Sequence, residues 1–318
     1  MAVHSEIVRV GVDWGTTHRR AYALDALGRC VAEHADDQGA LACKGRFAES
    51  LQALLHTLRA QPQSVILSGM VGSALGWQVV PYVDGSVALP ALGQHLMRVD
   101  AALAPTANGG SAVAPWVGIV PGYCVRNAAG QPDVMRGEET QLLGAYCLGH
   151  ADGWFVLPGT HSKWVELRGG QVAQLRTYMT GELFDLLGHH GTLAAAAGTA
   201  DAPWDATSFA QGVQSAQSGA ALSHQLFGCR ARVVSGDMPA ASSRAYLSGL
   251  LIGAELQDVL HGPAGGAQTT SFKLIGAPAL AQHYATAAVL LNLQLELLDA
   301  RAAFIAAIHF LNPQRTPA

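Results

Sequence analysis

Charge is scarce in this chain. Asp, Glu, Lys and Arg make up 13% of 318 residues, the net charge is −4, and the only lysines are Lys44, Lys163 and Lys273. Without a basic stripe the chain lacks the electrostatic footprint of a nucleic-acid binder or of a protein held on an anionic membrane. No apolar run approaches the ~18 residues of a membrane span, and the start of the chain carries no basic-then-apolar leader, so a cytoplasmic protein is expected. Cys30, Cys43, Cys124, Cys147 and Cys229 are scattered singly. The absence of C-x-x-C spacing argues against a zinc site and a disulfide framework, and fits a reducing compartment. Neither G-x-x-x-x-G-K-[ST] nor G-x-G-x-x-G occurs, which leaves the P-loop and dinucleotide folds unsupported. There is no G-x-S-x-G elbow either, so His161 and Ser162 do not make a hydrolase. His189-His190 has no partner at helical spacing and is a poor metal pair.

What is present is apolar and glycine-rich: 50% of the residues are hydrophobic and 36 are glycine. A chain of this length can bury two cores. The expected domains are 1–148 and 149–318, with the terminal helix a candidate to pack back on the first. The organising stretch is Ile7-Val-Arg-Val-Gly-Val-Asp13-Trp-Gly15-Thr16-Thr17. An apolar strand ends on a carboxylate, drops into Gly-Thr-Thr, and is followed by a second strand. Gly15 lets backbone amides approach an anion, Thr16 and Thr17 add hydroxyl donors, and Asp13 can hold a metal against phosphate charge. Strands are expected over 7–13, 18–25 and 28–34, a helix over 45–59, and strands over 64–68 and 116–120. Trp77, Pro81 and Tyr82 either face a sugar-like ligand or pack into the core.

The second half repeats this order. Strands at 154–158, 164–168 and 171–177 enclose the turn Gly159-Thr160-His161-Ser162-Lys163. Next come a helix over 181–187, an alanine- and glycine-rich connection at 194–198, a helical zone over 208–227 and a helix over 242–260. A loop at 261–270, strands at 272–275 and 293–298 and a helix over 300–311 complete the chain. Two domains that each open on a strand, a Gly-Thr turn and a strand point to the actin/hexokinase arrangement. This is an α/β fold of two ribonuclease-H-like domains facing each other across a nucleotide cleft, suited to phosphoryl transfer. Lys163 is either a mobile phosphate contact or an ordinary surface lysine.

Such a reaction needs a carboxylate to take the proton of the attacking hydroxyl. Glu138 and Glu139, two of only nine glutamates, stand together in Met135-Arg-Gly-Glu-Glu-Thr-Gln-Leu142. They are candidates for the base, or they simply favour the first turn of a helix. Glu182, in Met179-Thr-Gly-Glu-Leu183, fits a helix start equally well and is a second candidate, for base or for substrate hydroxyl binding.

Those stretches, with Gly11–Thr17, Ser68-Gly-Met-Val-Gly-Ser73, Gly76-Trp77, Val80-Pro-Tyr82, Leu157-Pro-Gly-Thr-His-Ser-Lys-Trp164 and Ser248-Gly-Leu-Leu-Ile-Gly-Ala-Glu255, together resemble the 2-dehydro-3-deoxygalactonokinase family. The resemblance runs in order from residue 7 to about 255. It implies ATP-dependent phosphorylation of the 6-hydroxyl of 2-dehydro-3-deoxy-D-galactonate, in galactonate and galactose breakdown. It also implies Mg²⁺ near Asp13, with Gly15, Thr16, Thr17, Gly159, Thr160 and Lys163 at the phosphates and Gly276-Ala277 at the adenosine. A loose likeness to more distant carbohydrate kinases favours Glu138 over Glu139 as base. Ser68, Met70, Trp77 and Glu182 would line the sugar acid, and Arg20, Arg136 or Arg176 would face its carboxylate. The family pattern calls for a Gly-Asp pair before the last helix, where this chain has Leu298-Asp-Ala-Arg-Ala302. The 4-epimeric gluconate-derived acid is the nearest alternative substrate, and a sugar or nucleotide sensor of the same fold the alternative function. Oligomeric state stays open, a homodimer being one form the sequence allows.

Overall fold

The computed structural model describes residues 6–101, 103, 114–195, 203–261 and 271–311. The expected connection at 194–198 and the loop at 261–270 lie largely outside these. In chain order the elements are β1 (Arg9–Trp14), β2 (Arg19–Leu24), β3 (Cys30–Asp36), α1 (Phe47–Thr57), β4 (Ser64–Gly69), β5 (Val83–Asp84), β6 (Met97–Arg98), β7 (Trp116–Ile119), β8 (Tyr123–Arg126), β9 (Pro132–Met135) and α2 (Glu138–Cys147). They continue as β10 (Gly153–Leu157), β11 (Ser162–Arg168), β12 (Gln171–Tyr178), α3 (Thr180–His189), α4 (Gly191–Ala194), α5 (Ala206–Ala216), α6 (Leu222–Val234), α7 (Ser243–His261), β13 (Ser271–Ile275), α8 (Pro278–Leu290), β14 (Gln294–Leu298) and α9 (Ala300–Phe310). None of the described helices is long and apolar enough to cross a membrane.

The strands form two sheets of the same design. In the first the order is β3-β2-β1-β4-β7-β6, with β1–β2 and β2–β3 antiparallel and β1–β4 and β4–β7 parallel. In the second it is β12-β11-β10-β13-β14, again with the first strand central and β10–β13–β14 parallel. Both therefore follow the ribonuclease-H order, a three-stranded meander extended by two parallel crossovers, which the repeated strand–turn–strand pattern predicts. β5, β8 and β9 make a small third sheet.

The chain divides into two compact units: residues 1–153, 166–175 and 299–318, and residues 154–165 and 176–298. In the first unit β1 and β4 are buried on both faces, which is why they read as unbroken apolar runs. Trp14 meets Phe47 edge-on in this core, and the amphipathic face of α1 covers it with Leu51, Leu54 and Leu55. Helix α9 packs on α2 and β1. Asp299 caps it by accepting the Ala302 N–H at 2.8 Å, so the stretch that departs from the family pattern starts a helix. In the second unit α5 and α7 lie backbone to backbone. A side chain at Gly212 would strike the carbonyl of Tyr246, and one at Gly249 that of Phe209. This close approach accounts for the glycine in Ser248-Gly-Leu-Leu.

One local expectation is corrected, and two elements stand where the sequence reading named none. The helical zone 208–227 is two helices, parted at 217–221 where Gly219 has φ +72°. Tyr123–Met135 is a hairpin turning through Gly130 at φ +77°. Residues 278–290 form a helix whose alanine-rich sequence carries little amphipathic contrast, so no period marks it.

Candidate active site

In the first unit the ends of β1 and β4 and the start of α2 meet. Asp13 is the penultimate residue of β1, half-buried between the fully buried Val12 and Trp14. Its carboxylate is held above the usual range by desolvation, opposed by the Arg20 guanidinium 3.9 Å away. The turn after it is pinned from behind: the carbonyls of Gly15, Thr16 and Thr17 accept the N–H groups of Ala40, Leu41 and Gly39 at 2.9, 3.2 and 3.1 Å. Gly15 N–H closes the turn on His18 O at 3.0 Å, and Thr16 and Thr17 are exposed. Gly69 (φ +90°) and Gly137 (φ +110°) face each other, and a Cβ on Gly137 would sit 3.3 Å from the Gly69 Cα. Only glycine allows both this backbone conformation and this approach. A Cβ on Gly69 would in turn lie 3.7 Å from an Asp13 carboxylate oxygen. That chain of contacts brings α2 to the mouth of β1.

The two glutamates of α2 fare differently. Glu138 is half-buried and its carboxylate accepts the Arg136 N–H at 3.0 Å. Glu139 is wholly buried, accepts the Gly137 N–H at 2.7 Å, and is pushed up to about 8 by desolvation and by Glu138. It holds a proton at neutral pH and is closed to any ligand, so it is not suited to be the base. The shift fixes a pH dependence. Above the ordinary glutamate value the unfolded chain releases a proton that the native state keeps. Stability from Glu139 is thus full below about pH 4.5 and is lost as pH climbs through about 8. Glu139→Gln is expected to flatten the fall in melting temperature between about pH 5 and 9 and to stabilise the protein at the alkaline end. An unchanged slope in melts across that range would place the proton elsewhere.

Several expected ligand contacts are corrected by burial. Ser68 is fully buried and bonds Thr140 Oγ1 at 2.6 Å, so it ties β4 to α2 instead of lining a substrate pocket. Lys163 is neither mobile nor on the surface: it is 7% exposed on β11 and donates to Thr177 Oγ1 at 2.9 Å. Trp77 stacks on Phe47 with centroids 6.1 Å apart and packs on the core with Met70, both remaining partly exposed. Among the three arginines, Arg176 is in the second unit over the Trp154 ring, and Arg20 is exposed beside Asp13. Arg136 donates to Val80 O at 2.7 Å with its guanidinium 4.4 Å above the Tyr82 ring, while its Nε and Nη1 are buried without a hydrogen-bond partner.

In the second unit, Gly159 and Thr160 form the β10–β11 turn, and the start of α3 sits on it. Glu182 N–H donates to Thr160 O at 2.9 Å, and a side chain at Gly181 would collide with the Gly159 carbonyl. The Glu182 carboxylate pairs with His161 at 2.6 Å. Beside the turn a cavity of about 260 Å³ opens, walled by Phe184 of α3, Leu251 and Ile252 of α7, and Ala279, Leu280 and His283 of α8. It lies just below the usual span of small-molecule sites, roughly 300–1,000 Å³. His283 stacks on Trp204 with centroids 4.2 Å apart and is kept neutral by burial, its pKa lowered. Gly276 packs against Pro158, and Ala277 caps α8 just before the wall. Sequence reasoning missed His283, Trp204 and Glu255. The only signal was a lone carboxylate in the apolar run of α7.

A duplicated ribonuclease-H-like fold that presents a carboxylate and a Gly-Thr turn at the end of its first strand is that of the actin/hexokinase class. Within that class the chain belongs to the 2-keto-3-deoxy-galactonokinase family, which matches it over residues 13–311. It is similar to the 2-dehydro-3-deoxygalactonokinase of Escherichia coli (strain K12), at 35% identity over 248 residues and 78% of each chain. It is also 35% identical to "Probable 2-dehydro-3-deoxygalactonokinase DgoK1" of Rhizobium meliloti (strain 1021), over 294 residues and 91% of each chain. A crystal structure from Sinorhizobium meliloti described under the same enzyme name aligns with a TM-score of 0.84 at 32% identity, covering 95% of this chain and 97% of that one. The chain is an ATP-binding kinase of carbohydrate metabolism.

Proposed function

We propose that the protein phosphorylates 2-dehydro-3-deoxy-D-galactonate on its 6-hydroxyl, with Glu138 as the general base. The observation that carries the reading is the meeting of Asp13, Gly69 and the Gly137–Glu138 start of α2. It sets a half-buried carboxylate on a helix N-terminus beside the phosphate-friendly turn. Glu138 takes the proton as the hydroxyl attacks, and the exposed Thr16 and Thr17 of the adjacent turn stabilise charge on the transferred group. In the second unit the Gly159–Thr160 turn offers the phosphate contact, and the apolar cavity beside it, walled in part by His283, takes the base of ATP.

Mg²⁺ fits at Asp13. Among the described residues no three His, Cys, Asp or Glu side chains converge, and one carboxylate, with phosphate oxygens and water filling the shell, is how this cation is ordinarily held. When bound, it neutralises phosphate charge.

Arg136 is the residue proposed to face the substrate carboxylate, because its guanidinium lies in the first unit with two N–H groups unsatisfied. Arg136→Gln is expected to raise KM for the sugar acid by about 10–100-fold, the worth of a charge-assisted pair, with a smaller effect on KM for ATP. Equal effects on both would remove it from the sugar-acid site. The test of the function itself is ADP release with Mg·ATP and the 2-dehydro-3-deoxy acids of galactonate and gluconate side by side. Turnover on the first, with little on the second, is expected. Preference for the gluconate derivative would reassign the substrate, and turnover on neither would favour a sensor.

A further inference from the structure

Glu255 of α7 is 2% exposed, and no cation neutralises it among the contacts of the described residues. Its carboxylate instead gathers four donors from three other elements. Ser162 Oγ and Trp164 Nε1 of β11 reach Oε1 at 2.7 and 2.5 Å, Tyr284 OH of α8 bridges both oxygens at 2.9 Å, and Thr180 Oγ1 of α3 bonds Oε2. Burial raises the pKa in spite of these bonds. For stability alone an apolar cluster in place of the carboxyl and its donors together would serve as well or better, because taking a carboxyl out of water costs several kcal/mol. The arrangement makes sense through what the donors are attached to. Ser162 ends the Gly159–Thr160 turn, Thr180 begins the helix whose first turn rests on that turn, and Thr180 and Tyr284 also line the cavity.

We propose that Glu255 is a positioning residue for the nucleotide. Buried where no ligand reaches it, it locks the Gly159–Thr160 turn, the start of α3 and the α8 wall of the cavity into one fixed surface, so that phosphate donors and base pocket keep a set spacing. The inference rests on the nucleotide reading of the second unit given above. An amide at this position keeps the volume but can accept through one oxygen only, so Thr180 and Tyr284 lose an acceptor and their hydroxyls must turn. Removal of Ser162 Oγ frees the turn from the hub; Tyr284 OH loses the 3.2 Å contact to Ser162 but keeps both oxygens of Glu255, so the cavity wall is disturbed less than by Glu255→Gln.

The experiment measures Mg·ADP binding by titration calorimetry for wild type, Glu255→Gln and Ser162→Ala, with KM for ATP and for the sugar acid and a melting curve for each. Glu255→Gln is expected to weaken Mg·ADP and raise KM for ATP by about tenfold or more, the scale on which loss of an outer orienting carboxylate is felt. KM for the sugar acid should change less than about threefold. Ser162→Ala should show the same one-sided pattern at smaller amplitude, and it decides the matter if Glu255→Gln fails to fold. Variants that melt earlier yet bind Mg·ADP as wild type does would make the hub structural only and overturn the proposal. A wild-type protein that does not bind Mg·ADP would overturn the nucleotide reading itself, and the proposal with it.

Discussion

Glu138→Gln is expected to lower kcat by about 10²–10⁴ with the fold and both KM values nearly unchanged. The amide cannot take the proton of the 6-hydroxyl, yet its carbonyl oxygen can still accept the Arg136 N–H that now bonds Glu138 at 3.0 Å. The start of α2 therefore keeps its shape, and the loss falls on chemistry. Glu139→Gln is the companion variant. Glu139 is buried and already protonated at neutral pH, so its amide should retain turnover within about tenfold while shifting the pH profile of stability as derived above. Both are read by coupled ADP release, with melting curves to confirm folding. Near-normal turnover in Glu138→Gln together with an inactive Glu139→Gln would reverse the two roles.

The largest effect on stability is expected at Gly144. It lies in α2 where α9 crosses, and a Cβ there would fall on the carbonyl of Ala303, with Ala303 Cα close behind. Backbone cannot step aside as a flexible side chain can. Relief would require α9 to lift from α2 and from β1, where Phe304, Ala307 and Ile308 are buried and Ile308 covers Gly11. Gly144→Ala is expected to cost about 3 kcal/mol or more, at or beyond the upper end of ordinary overpacking. That corresponds to a fall in melting temperature of roughly 5–10 °C. Because the same helix carries Glu138, activity should fall at temperatures well below the new midpoint. Gly228→Ala is the control: it sits in α6 with nothing within 4 Å of the added methyl, and should be neutral or stabilising by about 0.5–1 kcal/mol. Equal melting temperatures for the two variants would show that α9 is not held in this close packing.

The strand–turn–strand openings of both halves were legible because they are local. Apolar runs such as Val10–Val12 and Phe155–Leu157, broken by Gly-Thr, declare strand and turn whatever they later touch. Asp13 at the end of its strand and the Gly159-Thr160 turn could be placed the same way, as could the helix starting at Glu138. The helix at 278–290 could not, since its alanines give no face to detect. What no local pattern carried was burial and partnership. Ser68 meets Thr140 across 72 positions of chain, and Ser162 meets Glu255 across 93. In sequence Glu138 and Glu139 are neighbours of one kind; a helix turns about 100° per residue, so one is left half-open at the helix start and the other points into the core and keeps a proton. Lys163 likewise reads as a phosphate contact by position, and packing alone decides that its ammonium turns inward to Thr177. Turn chemistry and the kind of reaction were thus legible in the sequence itself, because they depend on neighbours a few residues away. Which carboxylate is available as base, which hydroxyls are structural and what holds the second turn in place were decided by tertiary structure, because desolvation and hydrogen-bond partners come from residues brought together only by folding.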